Sequence, residues 1–119
     1  MSKDFRRVEI ILEKISYIEA IVNDFNGRIF LALEDKQTNR PAILMHLVAI
    51  AEQFDKLKKE NSNILKKFSK DDIKGIYDIR TFIAHDYDGV NLAIIETAIR
   101  YGLPVVEKTC SDIITGELK

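Results

Sequence analysis

With 119 residues, of which 46% are hydrophobic and 31% charged, the chain has the size and balance of one folded domain and not of a disordered segment. Its formal net charge of -1 excludes a global basic field, so any RNA binding has to come from a local patch.

The pattern is helical nearly throughout, with only two prolines and five glycines and no sustained strand-like alternation. Asp4 is placed to cap a first helix. Phe5, Val8, Leu12, Ile15, Ile18, Val22 and Phe25 then form one apolar stripe at three- and four-residue steps. Asn26-Gly27 ends it, a short apolar piece follows from Ile29 to Leu33, and a polar link runs from Glu34 to Asn39. Asn39 reads as the next cap, with Pro41 tolerated in the first turn and a stripe of Ile43, Leu44, Leu47, Ile50, Ala51, Phe54 and Leu57. Asn61-Ser62-Asn63 breaks that pattern. Ser69-Lys70-Asp71-Asp72 resembles a capping box and starts a helix carrying Ile73, Ile76, Tyr77, Ile79 and Ile83. Asp88-Gly89 stops it. Asn91 caps a further helix through Arg100, Gly102-Leu103-Pro104 kinks or breaks the chain, and a last helix holds Val105, Val106, Cys110, Ile113 and Ile114. The elements predict a single all-α domain over 1–119, an antiparallel bundle of four or five helices.

The lone cysteine, Cys110, excludes an internal disulfide, fits a reducing compartment and reads as a small core residue. No apolar run approaches the ~20 residues that span a bilayer. The charged start, Met1-Ser2-Lys3-Asp4-Phe5-Arg6-Arg7, does not read as a signal peptide. The expected location is the cytoplasm, away from membranes.

The chemistry-bearing stretch is Arg80-Thr81-Phe82-Ile83-Ala84-His85-Asp86-Tyr87. His85 can change charge near neutral pH, and at a helix C-terminus the dipole favours its imidazolium form. Arg80 stays charged and offers a planar fork of donors that suits phosphate. The pair suits metal-free RNA cleavage. A histidine can take the proton of a 2′-hydroxyl or protonate the leaving 5′-oxygen, and an arginine can stabilise charge on the pentavalent phosphorus. The nucleophile then belongs to the substrate. Arg80 and His85 are five residues apart, about 140° around a helix, so they do not converge on one straight helix. Either the helix ends before His85, or a symmetric dimer brings two copies of the motif into one cleft. The alternative is a helix-end ion-pair network of Arg80 and His85 with Asp78, Asp86 or Asp88.

Other candidates are weaker in kind. Glu52 can orient Arg80 across neighbouring helices or be a plain surface charge. His46 sits among apolar residues without a metal-ligand partner. Lysines 56, 58, 59, 66, 67, 70 and 74 stand against Glu60, Asp71 and Asp72, which makes this the best local basic patch. Within it Lys70 and Lys74 are the candidate RNA contacts, with a solvated face as the alternative. No Gly-rich phosphate loop, His-Glu-x-x-His or paired Cys-x-x-Cys occurs, so no metal site is expected. Asp86-x-Asp88-Gly89 has the start of a calcium loop, but Val90 and Thr97 stand where later ligands belong.

At Arg80, His85 and Tyr87 the chain resembles the HEPN superfamily, and more closely the HepT toxin family, whose motif reads Arg-x4-His-x-Tyr. Ala42 to Glu52 resembles the family helix that ends in Gly-Glu, with Ala51 in place of the glycine, and Leu103-Pro104 resembles its Leu-Pro break. The similarity spans nearly the whole chain. It implies a HEPN-type bundle, a homodimer with a composite cleft and a metal-independent endoribonuclease without cofactor, acting on tRNA or mRNA and not on DNA. It further implies the toxin of a type VII HepT/MntA-like toxin–antitoxin pair. The partner is then an MNT-type nucleotidyltransferase antitoxin that silences it by transferring AMP to Tyr87. Two departures concern catalysis: Thr81 stands where the family usually has asparagine, and the upstream tryptophan is missing. A non-catalytic substrate-binding or regulatory partner of a nucleotidyltransferase is the alternative function.

Overall fold

A computed structural model describes residues 3–116. These form six α-helices and no strand: α1 (Lys3–Asp24), α2 (Ile29–Glu34), α3 (Asn39–Lys59), α4 (Lys70–His85), α5 (Leu92–Thr97) and α6 (Leu103–Thr115). The all-α bundle read from the sequence is the fold observed.

Helix α3 is the centre of the bundle because its stripe is the widest. All seven apolar residues assigned to it, from Ile43 to Leu57, are buried. Helix α1 packs along one side of α3 and also meets α6, while α4 packs on α3 as well. The buried line of α1 is Val8, Ile11, Ile15 and Ile18. Ile11 therefore joins the expected stripe at its centre, Leu12, Val22 and Phe25 flank it half-buried, and Phe5 lies at the surface. Phe54, fully buried, meets Phe68 edge-to-face with ring centres 4.9 Å apart. One hydrophobic core takes residues from all six helices.

The helix ends follow the turn chemistry, with two corrections. Helix α1 stops where Asn26 and Gly27 take left-handed φ of 57° and 81°. Asp4 is not a cap. It lies in the first turn of α1, and its carboxylate accepts the Ser62 hydroxyl at 2.7 Å, tying α1 to the link after α3. Asn39 is not a cap either but the first residue of α3. The Asp35 carboxylate reaches forward to accept its backbone N–H at 3.1 Å and takes over the capping role. Ser69 and Asn91 cap as the sequence suggests: Ser69 Oγ accepts from the Asp72 N–H, and Asn91 Oδ1 from those of Ala93 and Ile94.

Between α3 and α4 the chain makes a 3-10 turn (Asn63–Lys67) that the sequence pattern does not reveal. The expected break after Arg100 is a widened, π-helical turn (Ala98–Gly102) that joins α5 to α6. Pro104 has no N–H for the Arg100 carbonyl, and its ring crowds that carbonyl. One wider turn accommodates both while Gly102 and Leu103 keep right-handed helical angles. Cys110 is fully buried in α6, and burial pushes its thiol up to about 12. Among the described residues no helix is long and apolar enough to cross a membrane.

Candidate active site

Helix α4 carries the motif to the edge of the bundle. Its acidic first turn, Asp71 and Asp72, suits the positive end of the helix dipole. Ile76, Ile79 and Ile83 bury one face, which turns the remaining positions of the motif outward. The helix runs through His85, its last residue, so the first resolution of the Arg80–His85 spacing does not occur. Asp86 leaves the helical region at φ -152°, and its N–H still donates to the Phe82 carbonyl at 3.2 Å.

The next residues form a turn closed by a side chain. Asp86 Oδ1 accepts the Gly89 N–H at 3.0 Å, closing a loop over Tyr87 and Asp88. A Cβ at position 89 would meet the Asp86 carboxylate, so any larger residue here has to displace that side chain. The same bond occupies the first supposed calcium ligand. Tyr87 stands on this turn with 39% of its surface exposed, two residues from an exposed His85. His85 opens on a cleft of about 240 Å³ shared with Phe82, Asp86, Gly89, Asn91 and Ile94.

Arg80 does not line that cleft. It is half-buried on the side of α4 that meets α3, with its guanidinium carbon 5.1 Å from the centre of the Tyr77 ring. Lys58 of α3 approaches the same ring at 5.8 Å. Two cations therefore share one aromatic ring. The Tyr77 phenol is raised by burial and by the Asp55 charge, with Arg80 and Lys59 acting the other way. Its hydroxyl oxygen is buried without a hydrogen-bond partner among the described residues. Asp55 is held below the usual carboxylate range by the hydrogen bond from Lys59 and by the charges of Lys59, Arg80 and Lys58.

Asp55, not Glu52, is thus the acid on α3 that Arg80 feels. Glu52 is exposed and makes no ion pair among the described residues, because the inward face of α3 at that level is taken by Ala51, Gln53 and Phe54. The ion-pair network offered as the alternative is also not formed. Asp78 pairs with Lys74 at 2.7 Å, Asp86 holds the Gly89 N–H, and none of Asp78, Asp86 and Asp88 pairs with Arg80 or His85 among the described residues. Thr81 spends its hydroxyl on the Tyr77 carbonyl at 3.0 Å. Lys74 is neutralised by Asp78, whereas Lys70 stays unpaired among the described residues. His46 meets Tyr17 with ring centres 5.3 Å apart and the planes tilted by 48°, and burial, then Lys14, lowers its basicity.

Sequence reasoning missed Tyr77 and Asp55 as the surroundings of Arg80. Tyr77 was within reach, since a residue three before Arg80 shares its helix face. Asp55 carries no local signal, because it meets Arg80 only through the packing of α3 on α4.

No curated protein and no solved structure matches the chain significantly. A family model does, the one described as Ribonuclease HepT-like, over residues 6–113. With the Arg80, His85 and Tyr87 motif at the end of α4 of an all-α bundle, the chain belongs to the HepT-like ribonuclease family.

Proposed function

We propose that this chain is the toxin of a type VII HepT/MntA-like toxin–antitoxin pair: a metal-independent endoribonuclease that works as a homodimer on tRNA or mRNA. His85 is the acid/base group. It takes the proton from a 2′-hydroxyl, which attacks the adjacent phosphorus, and a protonated histidine supplies the proton to the leaving 5′-oxygen. Arg80 binds the phosphate and the charge that grows on it in the transition state. Tyr87 is the acceptor of AMP from an MNT-type nucleotidyltransferase. A nucleotide on that hydroxyl would lay a bulky anion beside His85 and close the site to RNA.

The observation that carries this reading is the division of labour along α4. Exposed His85 faces its own cleft while Arg80 is held over Tyr77 on another side of the same helix. One copy alone does not focus both on a phosphate, so the reading requires a second copy. An apolar groove of about 270 Å³ runs between α4 and the α5–α6 arm, lined by Ile79, Phe82, Ile94 and Leu103 among others. Phe82 and Ile94 also border the His85 cleft. A second copy seated on this groove would reach the cleft directly.

Inducible expression in a bacterial host that lacks the partner gene tests the reading. Wild type is expected to arrest growth with discrete RNA fragments, and His85→Ala to do neither. Harmless expression of unmodified wild type with intact RNA would instead favour the non-catalytic partner of a nucleotidyltransferase. Intact mass identifies the case in which a host enzyme has already modified Tyr87.

A further inference from the structure

A second cleft lies away from His85. It is a cleft of about 500 Å³ between the end of α3, the 3-10 turn and the start of α4. Its floor is apolar, made of Leu57, Leu65, Phe68 and Ile73, and its rim carries Lys58, Lys66 and Lys70. The three lysines are exposed and make no ion pair among the described residues. No acid lines the cleft; Asp71 and Asp72 follow Lys70 in the first turn of α4, and three further acids nearby are engaged elsewhere. Asp4 accepts the Ser62 hydroxyl at 2.7 Å, Glu60 binds Arg7 at 3.1 Å, and Asp55 binds Lys59 at 2.9 Å. The cleft therefore keeps a positive rim over an apolar floor in a chain whose net charge is -1.

The geometry points to this cleft as a docking subsite for single-stranded RNA that feeds the Arg80 site. An unstacked base rests on the floor of Leu65 and Ile73, and the flanking phosphates lie on Lys58, Lys66 and Lys70. A cationic groove beside an apolar surface is the general means of holding single strands without reading their sequence. Continuity with the reactive end is supplied by Tyr77. Lys58, on the rim, approaches its ring at 5.8 Å and Arg80 at 5.1 Å. A backbone that leaves the cleft past Lys58 meets Arg80 as its next cation. An acidic protein surface would satisfy the lysines but leave the cavity floor uncovered, which favours the nucleic acid. The subsite deepens the ribonuclease reading and rests on it for the fate of the strand.

Binding, not cleavage, tests it. Full-length His85→Ala protein is titrated into a fluorescently labelled single-stranded oligoribonucleotide, and anisotropy is followed across salt concentrations. Combining Lys58→Ala, Lys66→Ala and Lys70→Ala should weaken binding at least tenfold and make the slope of log affinity against log salt shallower by about 2, as three lost phosphate contacts on a single strand require. Leu65→Asp, which puts a carboxylate on the floor, should also cost at least tenfold. Lys108→Ala on α6 should change nothing. Circular dichroism checks that each variant is folded, and the exposed lysine variant decides alone if Leu65→Asp is not. Parental affinity in the triple variant, or no measurable RNA binding by the parent, overturns the subsite. If the triple variant binds RNA normally but no longer retains a nucleotidyltransferase partner, the cleft belongs to that protein and the subsite is again overturned. Because no step depends on cleavage, these results stand apart from the growth test of the ribonuclease reading.

Discussion

The guanidinium of Arg80 lies 5.1 Å from the centre of the Tyr77 ring, less than one turn earlier on the same helix. No ion pair among the described residues holds this arginine, so the ring and the nearby Asp55 charge set its position. It is thereby positioned for an anion without a partner that the anion would have to displace.

The ring and the hydroxyl of Tyr77 have separate consequences. Tyr77→Phe keeps the face under Arg80 and removes a buried oxygen with no partner among the described residues. Its unfolding free energy in urea should match wild type or exceed it by up to about 1 kcal/mol, with cleavage unchanged. Tyr77→Ala removes the ring and should lower RNA cleavage several-fold, since a cation over a ring contributes about 0.5–1 kcal/mol.

Gly89→Ala should act on Tyr87 without touching the core. The added methyl would meet the Asp86 carboxylate, which must swing away and release the Gly89 N–H. Transfer of AMP to Tyr87, measured by intact mass, should slow several-fold, while thermal stability should fall by no more than about 1 kcal/mol, the worth of one exposed hydrogen bond.

His46 makes stability depend on mild acid. Burial, then Lys14, lowers its pKa below 6.5, so the folded state favours the neutral ring. A group depressed in this way contributes stability above its unfolded pKa, which is lost as pH falls through the folded value. Urea midpoints at pH 7 and pH 5 should therefore converge in His46→Gln relative to wild type, even though the substitution also loses the contact with Tyr17.

Cys110 should be inert while the chain is folded. Its thiol is fully buried and pushed up to about 12, so thiolate is scarce at pH 8. Iodoacetamide at pH 8 should leave native protein unmodified by mass and alkylate it fully in urea.

The helices of this chain are legible in its sequence where one face decides everything. The stripe of α3 is read without error because all its members point at one core, and Ser69 and Asn91 announce their helices by side-chain chemistry. Asp4 and Asn39 mislead for a physical reason. A cap residue is recognised by type, but Ser62 and Asp35, which actually engage them, come from a distant segment and from the preceding turn. The motif itself is legible, whereas the setting of Arg80 is not. Spacing places Arg80 and His85 on different sides of α4, but only the packing of α3 on α4 brings Asp55 and Lys58 to the arginine. The basic patch is visible as a count of lysines. Which of them are free is not, since Lys74 and Lys59 are consumed by acids one turn away, whereas Lys58, Lys66 and Lys70 pair with no acid among the described residues.

The proposed function needs a second copy to complete the reactive site. The most direct measurement is RNA cleavage by mixed dimers of Arg80→Ala and His85→Ala, refolded together after each has been assayed alone. Each variant alone should be inactive, and the mixture should recover cleavage, because one copy supplies the arginine and the other the histidine. A mixture as inactive as its parts, beside an active wild type carried through the same refolding, would contradict a site built from one copy's arginine and the other's histidine.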